Sequence, residues 1–468
     1  MKIFSFNKNK ILVGLLLLAL SALVSCKKLI EIPPNPPTQI TRAQQFADSA
    51  STLSAVVGVY TYNQGQGFAY SDANLTISTG LSADEISSTE SYGDESEFYS
   101  YTLTPQNSEI TFLWQYPYQS LYQVNDVLDG ITNNKNLSAS FIKQITGEMK
   151  VTRALYYFNL VNLFGGVPLV TSTDYAVNAQ LPKASVDAVY TQILADLSDA
   201  VKKLPASYPV ESSGHVRPNL YTALALLSKV HLYQGQWQAA YNEADSIIKS
   251  GMYSVTNTPL NGVFLDGSNE AIWQLPAISS DNQTAEARIF VPNSGSTPNF
   301  LVTPFLLSQF EAGDQRLQNW IGTAVINNQN LYYPFKYKNV LASATPVEDY
   351  MVFRLGEMYL IRAEAAAELN NLSGALADVN IIRARAGLAA STADVTSPTA
   401  VLAAVMHERQ TELCFEWGNR WFDLKRTKAA GTVLTAEKTG WQSYDALYPL
   451  PQAQIQLNSH LIQNPDYH

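Results

Sequence analysis

The chain has 468 residues with 40 acidic against 30 basic side chains, and its net charge of −10 deepens once the lysines of its leading segment are removed. That excess of acid excludes a protein that works by neutralising phosphate backbones, so no nucleic-acid partner is expected. With 46% hydrophobic residues the chain can bury a large core, and its two cysteines are too few for a disulfide scaffold.

Lys2, Lys8 and Lys10 precede an apolar run from Ile11 to Val24. A membrane-spanning helix needs about 20 apolar residues, so this shorter run reads as a secretory signal over residues 1–25. Leu23-Val24-Ser25-Cys26 resembles a bacterial lipobox, which predicts a lipid on Cys26. Each buried CH₂ of an acyl chain contributes about 0.8 kcal/mol to membrane attachment, so several chains make a firm anchor. Residues 26–40 include Pro33-Pro34-Asn35-Pro36-Pro37 and read as a semi-rigid polyproline tether, with the folded part spanning 41–468. Once Cys26 is lipidated Cys414 has no partner in the chain, and its apolar helical setting reads as a small buried hydrophobe.

Apolar residues recur at helical spacing over Phe46–Tyr60, Tyr118–Ile131, Ile142–Phe164, Val186–Leu204, Leu220–Tyr233, Trp237–Ile248, Val352–Leu369, Ser373–Arg385 and Thr399–Phe415. Two helix pairs align with each other. Leu226–Tyr233, Gly235-Gln236-Trp237 and then Ala240 and Ala244 match Ile361–Glu368, Asn370-Asn371-Leu372 and then Ala375 and Val379. Helix, short turn and helix, with alanine where helices approach closely, is the tetratricopeptide plan. Such pairs bury their apolar faces only by stacking. The fold predicted is therefore mostly α, with about four tetratricopeptide-like helix pairs, the others near Tyr118–Phe164 and Thr399–Arg426. Long loop-rich insertions over Tyr62–Trp114 and Gly251–Asp349 are expected to carry short strands such as Ala271–Gln274 and small helices.

Loops of that length in a compact protein usually carry function, and these are rich in aromatics and amides. Sugars present C–H faces to aromatic rings and hydroxyl edges to amides and carboxylates. Asp84, Glu85, Tyr92, Asp94, Glu95, Phe98 and Tyr99 lie in the first region; Asp281, Asn282, Arg288, Phe290, Trp320, Tyr332 and Tyr333 in the second. From these, Tyr92, Tyr99, Asn282, Phe290, Trp320 and Tyr332 are the candidate glycan-binding residues. No catalytic residue is assigned. Glu408, Arg409, Glu412, Glu416, Arg420 and Asp423 form a charged cluster in which Arg409 and Glu412 would share a helix face, as would Glu416 and Arg420, and this reads as a structural tie. His407-Glu408 lacks a histidine four residues on, and His215, His231, His460 and His468 show no ligand spacing, so neither a metal nor a cofactor is expected.

Several segments resemble the SusD/RagB family. They are Glu148–Val170, with its Gly-x-Val-Pro turn; Trp114, Tyr118, Leu121 and Asn125; Ala223–Ala240; Phe353–Ala367; Glu408–Leu424; and Tyr448–Asn464, with Pro465 following. Two features depart from the family pattern: Lys27 and Lys28 stand where an acidic export cluster is common, and Arg217 comes two residues late after Gly214. The resemblance implies a SusD-like domain with an N-terminal part over about 41–250 and a C-terminal part over about 251–468. It also implies a lipoprotein of the outer membrane, facing the cell exterior, that captures oligosaccharide and delivers it to a SusC-like TonB-dependent transporter without cleaving it. Rival classes are a tetratricopeptide scaffold for proteins and an anchored glycoside hydrolase.

Overall fold

The computed structural model describes residues 40–65, 73–90, 93–209, 214–277 and 281–467. The signal, Cys26 and the proline-rich tether lie outside them. The described chain begins with α1 (Arg42–Gln45), α2 (Ser49–Gly65), α3 (Asn74–Ser82), β1 (Ile86–Ser88) and α4 (Asp94–Ser100). Then come α5 (Ser108–Ile131), α6 (Ala139–Phe164), α7 (Tyr175–Asn178), α8 (Val186–Lys203), α9 (Leu220–Tyr233) and α10 (Trp237–Lys249). The second insertion holds β2 (Ala271–Pro276), α11 (Ala285–Phe290), β3 (Phe300–Val302), α12 (Pro304–Gln309), α13 (Gln315–Trp320), β4 (Ile321–Ile326), β5 (Gln329–Pro334) and β6 (Asp349–Arg354). It closes on α14 (Leu355–Glu368), α15 (Leu372–Arg385), α16 (Pro398–Glu412), α17 (Asn419–Arg426), α18 (Ala430–Glu437) and α19 (Gln452–Leu457).

Helices α5, α6, α8, α9, α10, α14, α15 and α16 stack in that order, each against the next, which is the predicted tetratricopeptide-like backbone. The two aligned pairs turn by the same device. Gly235 and Asn370 occupy equivalent places and both take the left-handed backbone conformation that glycine and asparagine tolerate. The next residue then closes a six-residue hydrogen bond, Gln236 N–H to the His231 carbonyl at 2.9 Å and Asn371 N–H to the Ala366 carbonyl at 2.8 Å. Ala240, Ala244 and Ala375 are fully buried, as the close approach of the helices requires. Inside α6, buried Glu148 receives the guanidinium of Arg217 at 2.6 Å, so the late arginine still reaches a carboxylate.

The last repeat differs from expectation. The α8 helix joins the stack, whereas after α16 the chain breaks at Phe415, Trp417 and Gly418, all left-handed, and α17 packs on α3 and α18. Glu416 and Arg420 therefore do not share a helix. Nor does Val352 begin a helix, because 349–354 pair antiparallel with β2 as β6. In the first insertion α3 and α4 are small helices of the kind expected, and α5 begins earlier than its apolar period showed, at Ser108. Every residue of α3 from Leu75 to Ser82 is buried, so the segment shows no polar face. Its hydroxyls bond back into the helix, Thr79 Oγ1 to the Leu75 carbonyl at 2.5 Å and Ser82 Oγ to the Ser78 carbonyl at 2.9 Å. The main core takes residues from Phe46 through Tyr467, and a smaller one around Phe264, Trp320 and Tyr337 lies under the second insertion.

Candidate functional site

A cavity of about 490 Å³ opens where the two insertions meet. Their meeting is fixed by backbone: β1 pairs antiparallel with β3, Ser88 facing Phe300, and Thr89 N–H continues to the Asn299 carbonyl at 2.9 Å. One wall is α5, on which Glu109, Phe112 and Tyr116 fall three and four residues apart and so share a face. Phe112 and Tyr116, both half-buried, stack with ring centroids 5.1 Å apart and planes 2° from parallel. On α3, Ile77 and Ser78 follow Asn74 by three and four residues and so lie on its face of the helix. Ser88, Glu90 and Glu95 come from β1, the segment after it and α4, and Ile289, Asn299 and Phe300 from the second insertion.

The polar groups are held in series. Ser78 Oγ donates to Asn74 Oδ1 at 2.7 Å, and Asn74 Nδ2 donates to Glu109 Oε2 at 2.5 Å. The start of α5 is pinned by the preceding helix: the Asp94 carboxylate accepts the Ser108 N–H at 2.9 Å, and Asn107 donates to Glu97 at 3.0 Å while capping the Ile110 N–H. These bonds fix the register that points Glu109, Phe112 and Tyr116 into the cavity. Burial, with the negative charges of Glu95 and Asp94 beside it, pushes the Glu109 carboxyl up to about 7, against the smaller opposing effect of the Asn74 hydrogen bond.

The other concentration of carboxylates is sealed. Arg316 meets Asp314 at 2.8 Å, Glu408 at 2.6 Å and Glu412 at 3.2 Å; Arg354 meets Glu270 at 2.8 Å, Glu412 at 2.5 Å and Glu416 at 2.8 Å. Arg385 pairs with Glu270 and Glu412, and Lys336 with Glu416. All these side chains are buried. Arg409 turns away from Glu412 to pair with Asp423 at 2.7 Å, so the expected Arg409–Glu412 grouping is replaced by long-range pairs. This network ties α13, α15, α16 and the strand ends together; of its members only Arg385 borders a surface cavity, and the carboxylates are occupied by arginine and lysine.

Two family models cover most of the chain: one described as the SusD family matches residues 309–467, and one described as starch-binding, associating with outer membrane, matches 37–232. The chain belongs to the SusD/RagB family. Among curated relatives it is 24% identical to SusD-like protein P2 of Formosa agariphila over 98% of this chain and 100% of that one. It is 23% identical to SusD-like protein P25 of the same organism over 94% and 95%. Its fold is similar to that of a SusD superfamily protein from Bacteroides vulgatus, with a TM-score of 0.80 and 19% identity over 90% of this chain and 99% of the other. A laminarin-binding SusD-like protein superposes with a TM-score of 0.75 and 24% identity over 90% and 100%.

On this SusD-type frame the residues picked from sequence scatter. Trp320 is fully buried, and its Nε1–H donates to the Leu260 carbonyl at 3.1 Å. Lys336 sits 4.3 Å from its ring centroid, so it packs beneath the sealed ion network and is no sugar platform. Phe290 is also buried and packs edge-on against Phe300 at 5.8 Å, supporting the cavity wall from behind. Asn282, in the left-handed region, donates from Nδ2 to the Ser343 carbonyl at 2.8 Å and pins the loop before β6. Tyr332, half-buried on β5, packs on the main core and does not line the cavity. Tyr99 is exposed on α4 but faces Lys438, 4.5 Å from its ring, outside the cavity. Tyr92 lies outside the described residues, between Glu90 and Glu95 of the lining.

The residues that sequence reading missed are Glu109, Phe112 and Tyr116. Glu109 and Phe112 fall inside the insertion Tyr62–Trp114 and Tyr116 just past it, before the helical period taken to start at Tyr118, so their common face was divided between two segments.

Proposed function

We propose that the protein binds oligosaccharide in the cavity between α3, α5 and the β1–β3 pair and passes it on without cleaving it. The stacked pair of Phe112 and Tyr116, beside Asn74, Glu95, Glu109 and Asn299, carries this reading. Such a surface offers a flat apolar platform to a sugar face and acceptors and donors to its hydroxyl edges. The laminarin-binding structural relative supports a glycan as the ligand class and makes laminarin the first probe. The match to a family described as associating with the outer membrane supports attachment there through a lipid on Cys26, with a SusC-like TonB-dependent transporter as the partner receiving the glycan.

Glu109, raised toward neutrality beside Glu95, is also the pairing a glycoside hydrolase would use, so turnover has to be measured together with binding. Purified protein incubated with labelled laminarin and a panel of other oligosaccharides is expected to bind at least one and to release no shorter product. Shortened products would establish the hydrolase, and no binding to any glycan would leave a protein scaffold. In cells, Cys26→Ala should move the protein to soluble fractions, and mild-detergent purification of the wild type should carry a large β-barrel transporter with it.

A further inference from the structure

Among the described residues the cavity lining includes three carboxylates, Glu90, Glu95 and Glu109, and no lysine or arginine. Asp94 adds a fourth negative charge beside them. The cause is visible in the sequence: between Arg42 and Lys135 there is no lysine, arginine or histidine, and this stretch supplies α3, α4, the start of α5 and β1. Elsewhere cations from the C-terminal part do reach this stretch. Arg420 meets Asp84 at 2.6 Å, and Lys438 donates to the Leu81 carbonyl. Among the described residues no lysine or arginine lines the cavity. Arg288, next to Ile289 on α11, is exposed and outside the lining.

We infer that the cavity reads the charge of its glycan: it takes a sugar bearing an ammonium group ahead of the neutral sugar of the same shape, and turns away uronate and sulfated units. An amino sugar would place its cation among Glu90, Glu95 and Glu109, whose charges have no partner of opposite sign in the lining. A uronate would bring another carboxylate into the same space, where the half-buried setting limits screening by water. This inference rests on the glycan reading of the site and names the chemical class it selects. The rejection of uronate should also depend on pH. Glu109, facing Glu95, Asp94 and Asn74, is protonated in acid, so the negative field is greater at pH 8 than at pH 5.

The test uses oligosaccharide arrays that present each backbone in neutral, amino and uronate forms, probed with the full chain at low salt and about pH 6.5, where an amine flanked by sugar oxygens still carries its proton. On any backbone that binds, the amino form is expected to bind about fivefold more tightly than the neutral one, a factor within the range for a partly exposed ion pair. The uronate form is expected to bind at least about tenfold more weakly, with both differences shrinking at high salt. Glu95→Gln and Glu109→Gln should each reduce the ratio of amino to uronate affinity. A variant that had merely lost its fold would weaken all three forms alike and leave the ratio unchanged. Equal binding of the three forms, or preference for the uronate, overturns the charge selection while leaving glycan binding in place. Absence of binding by every backbone overturns the glycan reading, and this inference with it.

Discussion

Glu412 and Glu109 are both glutamates on long helices, and the contrast between their surroundings separates structure from function in this protein. Burial alone would raise the Glu412 carboxyl, but Arg385, Arg354 and Arg316 outweigh it and hold the group well below the usual carboxylate range. Glu109 has burial, two negative neighbours and one amide, and it moves the other way, to about 7. Near Glu412 every charge is met from distant segments, so the network fixes the fold. Around Glu109 aromatic surface and acceptors line a cavity, the place proposed above for the glycan.

The largest expected effect breaks the sealed side. Glu412→Gln leaves three arginines short of a counter-charge, and losing one partner of a buried pair costs roughly 3–5 kcal/mol. Urea unfolding should show the loss, while glycan affinity of the folded fraction stays near wild type. Trp320→Ala should cost a similar amount, roughly 3–5 kcal/mol, by emptying the space beneath Lys336 and Arg354. Unchanged stability together with weakened glycan binding would return Trp320 to the role its sequence suggested.

On the open side the signs reverse. Phe112→Ala or Tyr116→Ala should reduce glycan affinity by about tenfold, since lost stacking is worth roughly 0.5–1.5 kcal/mol beyond the buried area and 1.4 kcal/mol is one decade. Thermal unfolding should move little, because both rings are only half-buried. Loss of stability with affinity intact would make them core residues.

The smallest effect sharpens the comparison through pH. Glu109 has its folded-state value raised, from an ordinary 4.5 to about 7, so the folded protein holds this proton longer than the unfolded chain does. Its contribution favours folding below about pH 4.5 and is lost as pH rises through 7. Glu109→Gln should therefore flatten the pH dependence of stability across that window. Glu412, with its value depressed, contributes the opposite slope: its stabilisation is complete above the ordinary carboxylate range and is lost as pH falls below it. Unfolding curves of the two variants from pH 3 to 8 should differ in opposite directions.

The helical stack was legible because its information is local. Periodicity, alanines at close contacts and the Gly235 and Asn370 turns all act within a few residues, and Leu220–Tyr233 has the same bounds in sequence and structure. The site was not legible for two local reasons. Fully buried α3 hides any amphipathic period, and α4 is short and acidic, so neither stood out from the loop around it. Aromatic content then drew attention to Trp320 and Phe290, although nothing in their neighbourhoods could show that partners far along the chain would cover them.

Sequence by itself determined the stacked helices, their turns, the family, and a stretch from Arg42 to Lys135 without basic residues. These depend on residue type and short spacing, which one chain displays in full. Tertiary structure decided which carboxylates are neutralised and which aromatics stay open. The pairing of β1 with β3 brings together segments more than 200 residues apart, and the same folding carries Arg316, Arg354 and Arg385 to Glu412 while, among the described residues, no lysine or arginine joins Glu109 in the cavity lining. A charge is structural or available according to what the rest of the chain places within a few ångströms of it, and that distance is set only when the chain is folded.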